Sequence, residues 1–228
     1  MRPYVIINAA MSADGKISTI RRRQTKISGP DDFARVDRLR AESDAVLVGI
    51  GTVLADDPSL RLKSEVLARE RTALGKPAHP MRVVVDSYAQ MPPDSDMFHK
   101  GSGRVVVVVS HAAPKEKAAE LSHQATVIYA GKESVDLALM LDELAKLGVK
   151  QLMVEGGARI LWSFMSQGLF DEIRIYVGAM IIGGRDAPTF ADGEGFVSED
   201  SFTRLDLKNA ERIDDGILLT WTRRDVCR

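Results

Sequence analysis

Seven short runs rich in β-branched residues punctuate the chain: YVIINA (4–9), DAVLVG (44–49), MRVVVD (81–86), RVVVVVS (104–110), ATVIYA (125–130), KQLMVEG (150–156) and EIRIYVG (172–178). Two of them, MRVVVD and RVVVVVS, lack polar alternation, the pattern of strands buried on both faces of a largely parallel sheet. Between the runs lie helical periodicities. GPDDFARVDRLRAES (29–43) places Phe33, Val36 and Leu39 three apart, with Pro30 and two acids where a helix would begin. APKEKAAELSHQ (113–124), SVDLALMLDELAKLG (134–148) and ARILWSFMSQG (158–168) read the same way, each of the last two closing on a glycine. Strands alternating with helices imply an α/β sheet with right-handed crossovers.

The C-terminal stretch departs from that rule. SFTRLDLKNAERIDDGILLTWTRR (201–224) alternates apolar and polar positions around DDG, which predicts an antiparallel hairpin turning at Asp215–Gly216. Ala68 to His79 is polar, with Gly75 and Pro77, and reads as a surface excursion. Gly178 to Phe202 is a long glycine-rich segment of the kind that is functional or mobile when it occurs inside a compact domain. No internal repeat divides the chain, so residues 1–228 are expected to form a single domain.

Composition narrows the class without naming a chemistry. The 228 residues carry a net charge of −1, so no global excess of charge calls for nucleic acid. The single cysteine, Cys227, has no intrachain partner, which fits a reducing compartment. The N-terminal apolar run is too short for a secretory signal, and no run nears the roughly 20 residues that span a bilayer. A cytoplasmic protein bound to no membrane is expected.

Val48 to Lys63, VGIGTVLADDPSLRLK, begins like a dinucleotide fingerprint. It fails as one. Leu54 stands where the third glycine belongs, Asp56, Asp57 and Pro58 follow within a turn, and the run follows the second strand, whereas the fingerprint belongs at the first βα turn. Gly49 and Gly51 are expected instead to let the chain turn off its strand. The four histidines, His79, His99, His111 and His123, show no metal-ligand spacing, and neither a zinc-deaminase signature nor G-x-S-x-G occurs. Two glycine pairs remain. VEGGARIL (154–161) joins a strand to a helix, where paired glycines let backbone N–H groups face an anion; a tight turn without ligand fits as well. IIGGRDAPTF (181–190), with Arg185, reads as a plain loop.

Taken together, INAAMSADGKI, LRAESDAVLVGIGTVLADDPSL, RVVVDS, VEGGARILWSF and IIGGRDAPTFADGEGF occur in this order over essentially the whole chain. In this the chain resembles the riboflavin-biosynthesis reductases, and within them the stand-alone archaeal and fungal type. The resemblance implies a dihydrofolate-reductase-like α/β fold, with a mostly parallel central sheet, flanking helices and a C-terminal antiparallel hairpin. It implies a homodimer that reduces the ribosyl side chain of a small-molecule pyrimidine ribosyl phosphate to ribityl, using NADPH, or NADH as an alternative donor, without metal or flavin. A same-fold reductase of the deaminated pyrimidine or of a folate, and a non-catalytic NADPH-binding protein, are the alternatives.

The resemblance also carries residues. It places Met11, Thr52, Asp56, Val85 and Ser87 at the cofactor, and Gly156, Gly157, Ala158, Arg159, Ile160 and Leu161 around its diphosphate. It places Asn8, Arg40, Leu60, Lys63 and Glu155 at the substrate, with Lys63 and Arg40 suited to the 5′-phosphate and Glu155 the candidate catalytic acid. Arg40 also fits a solvated helix position paired with an acid. Bacterial members usually carry lysine where Asn8 stands, so no catalytic part for that lysine transfers here. Gln24 to Ile27 matches the family loosely, and Arg21 to Arg23 reads as a phosphate-facing run or as solvated surface. Ser110 to Lys115 offers donors and a cation for a 2′-phosphate.

Overall fold

The computed structural model describes residues 1–224, so Cys227 and the expectation attached to it lie outside the described residues. The chain divides into two compact units, residues 1–4 with 36–153, and residues 5–35 with the chain from Val154 onward.

In the first unit the strands β2 (Ala45–Gly49), β3 (Met81–Val85), β4 (Val105–Val109) and β5 (Thr126–Tyr129) run parallel. With the start of β6 (Gln151–Gly156) their order is β5-β4-β3-β2-β6. All five valines of β4 are buried, as an unalternated run requires. Helix α6 (Leu137–Lys146) buries Leu137, Met140, Leu141 and Leu144 on one stripe. It starts three residues later than its periodicity suggests because Asp136 caps it, accepting the N–H groups of Ala138 and Leu139. Helix α5 (Lys115–Leu121) lies where expected.

Helices α2 (Ile50–Asp56), α3 (Glu65–Ala73) and the single turn α4 (Asp96–His99) were not anticipated. The surface excursion expected over Ala68 to His79 is helical as far as Ala73. Apolar periodicity missed α3 because only Leu67 and Arg71 face inward. Arg71 is buried yet polar, and its guanidinium donates to the carbonyls of Pro77, Ala41 and Ser43. Ser64 caps the helix through Leu67 N–H.

In the second unit β1 (Tyr4–Ser12) pairs in parallel with β7 (Glu172–Gly178). Strand β9 (Gly216–Arg223) runs antiparallel to β7, and β8 (Leu205–Ile213) antiparallel to β9, giving the order β1-β7-β9-β8. The expected hairpin is present, but its turn sits one residue earlier. Ile213 pairs with Gly216, so Asp214, at φ 50°, and Asp215 make the turn. Gly216 is a close-approach residue instead: a Cβ there would lie 2.5 Å from the Tyr176 phenol and from the Val177 carbonyl. The turn carboxylates are both used. Asp214 accepts N–H groups of Asp31 and Asp32 at the start of α1 (Pro30–Glu42), and Asp215 accepts the Tyr176 hydroxyl at 2.9 Å. Burial, then that hydrogen bond and the neighbouring carboxylates, push the Tyr176 phenol up to about 12.

The long segment after β7 is tied down. Asp14 accepts N–H groups of Ile182 (3.0 Å) and Gly183 (2.7 Å), and Lys16 Nζ donates to the Ala187 carbonyl. The Ser12 hydroxyl first, and then the Ile182 N–H, hold the Asp14 carboxyl down at about 2. Gly183–Gly184 thus lies in a pinned loop, as its sequence suggests. No helix among the described residues is long and apolar enough to cross a membrane.

Candidate active site

In the first unit the TVLADDPSLRLK stretch sorts its residues by conformation. Gly49 has an ordinary extended backbone (φ −80°, ψ 155°), and a Cβ on Gly51 would meet nothing within 4 Å. Gly51 therefore sits inside the helix with room for a side chain, and the Gly49 backbone is one that any residue adopts. Thr52 is half-buried on α2 and Asp56 ends that helix exposed. Asp57 terminates α2 in the left-handed region (φ 41°) and turns its carboxylate to Ser95 Oγ (2.6 Å) and Asp96 N–H (3.0 Å) at the start of α4. One acid of the pair is thus structural.

Beyond it Leu60 is buried with φ 50°, so its side chain packs within the protein and its backbone is strained. Lys63 is exposed, and its N–H is accepted by both carboxylate oxygens of Asp37, at 2.9 and 3.1 Å. Arg40, in the last turn of α1, reaches the Arg61 carbonyl at 3.4 Å. The structure therefore brings Arg40 to the loop that carries Lys63. A cavity of about 550 Å³ opens beside this loop, lined by Arg61, Lys63, Glu65, Arg69, Thr72 and His79 among others. His79 Nδ1 accepts the Leu62 N–H at 3.2 Å, so the imidazole is neutral with its proton on Nε2. Burial first, then the charges of Arg82, Arg61 and Arg71, hold it below the usual histidine value, against the opposing pull of Asp37.

At the end of β3, Val85 and Ser87 are half-buried. Ser87 Oγ accepts the Val135 N–H, and its carbonyl accepts the Ser110 hydroxyl at 2.7 Å. Ser110 is fully buried and also accepts from Ala112 N–H, so it is withdrawn from the donors expected for a 2′-phosphate; Lys115 stays exposed. Asp86 between them is fully buried, and burial pushes its carboxyl up although the Met91 and Gln90 N–H groups oppose the shift.

In the second unit Asn8 is buried on β1, and its Oδ1 accepts from Arg35 Nη2 at 2.9 Å. Arg35 is paired with buried Asp32, while its buried Nη1 has no hydrogen-bond partner among the described residues. A cation thus stands at Asn8 even though the strand itself carries none there. Met11 is half-buried opposite Val177. Glu155 is half-buried near the end of β6, followed by Gly156 (φ 149°) and Gly157 (φ 71°). Helix α7 (Ala158–Ser166) begins with no side-chain cap and no acid in its first turn. That junction fits a dinucleotide diphosphate: N–H groups without a side-chain cap, no acid in the first helical turn, and open space where a Gly156 Cβ would stand. Of Ala158 to Leu161 only Arg159 is exposed, so the other three can face a ligand with their backbone alone. Arg21 to Arg23 are solvated and Ile27 is buried.

Sequence reasoning missed Arg35, Asp37 and His79. Only Asp37 left a trace, three residues before Arg40 and so on the same side of α1.

The mostly parallel sheet with antiparallel C-terminal strands defines an α/β protein of the dihydrofolate-reductase-like class. The chain belongs to the family of the RibD C-terminal domain, whose model matches residues 3–219. It is 48% identical over 220 residues to the 2,5-diamino-6-ribosylamino-4(3H)-pyrimidinone 5′-phosphate reductase of Archaeoglobus fulgidus, covering 96% of this chain and 98% of that one. It is 43% identical over 222 residues to the protein of the same name from Methanothermobacter thermautotrophicus, covering 97% and 99%. A pyrimidine reductase-like protein of Corynebacterium diphtheriae shares the fold, with a TM-score of 0.81 at 21% identity over 98% of this chain and 93% of that one. Membership of this reductase family implies a nicotinamide cofactor.

Proposed function

We propose that this chain reduces the ribosyl side chain of 2,5-diamino-6-ribosylamino-4(3H)-pyrimidinone 5′-phosphate to the ribityl form, with NADPH as reductant, in riboflavin biosynthesis. We further propose that residues 1–228 work as one reductase domain within a cytoplasmic homodimer. The 48% identity to the archaeal reductase of that name, over nearly the full length of both chains, carries the reading.

The chemistry requires the cyclic ribosylamine to open to an imine at C1′. Hydride added to C1′ and a proton added to nitrogen then give the ribityl amine. NADPH, when bound, supplies the hydride. The N–H groups that open α7, reached through the two glycines, receive the cofactor's diphosphate; Thr52, Asp56, Val85, Ser87 and Met11 complete its contacts, and Lys115 is the cation for the 2′-phosphate. Lys63 meets the 5′-phosphate as a point charge and Arg40 as a fork. Asn8 and Leu60 line the substrate. Glu155 hydrogen-bonds it and holds the proton destined for the imine nitrogen. Holding the reacting carbons about 3–3.5 Å apart supplies much of the acceleration.

The test is NADPH oxidation followed at 340 nm with the diamino substrate, its deaminated counterpart and dihydrofolate in parallel. The diamino compound should give the highest kcat/KM, and Glu155→Gln should lower kcat by about 100-fold if it is the acid. Preference for the deaminated compound would reverse the order of reduction and deamination. Equal kcat/KM with NADPH and NADH would remove the role given to Lys115.

A further inference from the structure

The loop that carries Lys63 is held from α1 by a residue that has no part in the proposed phosphate contact. We infer that Asp37 is the positioning residue of the phosphate end, fixing the Lys63 backbone and so setting preference for a phosphorylated over a non-phosphorylated substrate. This rests on the assignment of Lys63 to the 5′-phosphate in the proposed function.

A lysine is a charge on a long, flexible stem, and where its ammonium spends its time depends on how well its backbone is fixed. From Leu60 to Ser64 that backbone lies between α2 and α3, outside regular structure. Leu60 is buried, and Leu62 N–H is accepted by His79. Asp37 then takes the next two N–H groups together, Lys63 through both oxygens and Ser64 at 2.8 Å through Oδ2. Ser64 is in turn the residue that caps α3. Asp37 is 7% exposed, so these charge-assisted bonds form largely out of water, where they are stronger than their exposed counterparts.

The same helix supplies the second cation. Arg40 follows Asp37 by three residues and touches the Arg61 carbonyl, two residues before Lys63. One face of α1 therefore carries both the anchor of the Lys63 loop and the guanidinium proposed to share its phosphate. Removing the Asp37 carboxylate leaves the Leu60 and His79 anchors in place, so the loop keeps its path while Lys63 loses its register to Arg40.

Asp37→Asn offers one acceptor oxygen in place of two and removes the charge. In the full-length protein it should raise KM for the phosphorylated substrate about ten-fold, the loss of one charged hydrogen bond. Its kcat and its Kd for NADPH should stay within about two-fold, as befits an interaction that binds ground and transition states alike. With the dephosphorylated ribosylamino compound kcat/KM should not move, so the phosphate preference falls by the same factor. Lys63→Ala should lose that preference too, and the double variant should lose no more than Lys63→Ala alone. Equal losses on both substrates, or losses that multiply in the double variant, overturn the inference. If Asp37→Asn does not fold, Asp37→Glu keeps the charge and both oxygens, shifts them by a methylene, and is read by the same criteria. A phosphate preference intact in Lys63→Ala would overturn the Lys63 assignment and the positioning role with it. Turnover of the diamino substrate would still judge the reaction separately.

Discussion

Asp56 and Asp57 are adjacent in the sequence and serve different ends, and the division comes from backbone conformation. Asp57 sits in the left-handed region where α2 stops, which turns its carboxylate to the α4 cap and leaves Asp56 at an exposed helix end. One carboxylate of the acidic pair is thus already engaged by N–H and O–H donors of the protein. His79 shows the same economy with a titratable group. Its neutral Nδ1 accepts a backbone N–H, and burial, with Arg82, Arg61 and Arg71, holds its pKa below the ordinary 6.5. The unfolded chain therefore takes up this proton first. The stabilisation is fully present above 6.5 and is lost as pH falls from there through the depressed folded value. His79→Asn supplies an acceptor oxygen that does not titrate, so melting temperatures followed from pH 7 to 5 should fall less steeply in the variant. Parallel curves would show that His79 plays no part in the acid limb.

Elements were legible where apolar pattern alone specifies them and obscure where polar groups do. The valine runs and the hairpin stand out because buried and half-buried strands leave different periods in the sequence. Helix α3 does not, because its inward face is completed by a buried arginine that hydropathy scores as surface. Glycines mislead for a related reason: their presence is visible, but whether space or φ demands them is not. Gly51 lies in α2 with open space around a Cβ, whereas Gly216 lies against Tyr176 and Val177. Gly51→Ala should stabilise by about 0.5 kcal/mol through helix propensity and leave NADPH affinity unchanged. Gly216→Ala should cost about 1–3 kcal/mol through overpacking, read by urea midpoints at constant slope. A loss of NADPH affinity in Gly51→Ala would restore the fingerprint reading of that stretch.

For the molecule as a whole, the parallel α/β plan with an antiparallel end was readable from pattern, and the residues proposed for cofactor and substrate came through family resemblance. What stayed hidden were long-range hydrogen bonds such as Lys63 N–H to Asp37 and Arg35 to the Asn8 side chain, since a side chain's distant partner leaves no period. The division into two units was hidden as well. Its boundaries fall at Tyr4/Val5 in β1, Arg35/Val36 in α1 and Met153/Val154 in β6, each inside a regular element. Melting one unit alone would break helical i→i−4 bonds spanning Arg35–Val36 and part β6 within its length, costs that cooperative elements resist. Scanning calorimetry should therefore show one endotherm, with calorimetric and van't Hoff enthalpies equal. Two resolved endotherms would establish separate folding units and remove the proposal that residues 1–228 act as one domain.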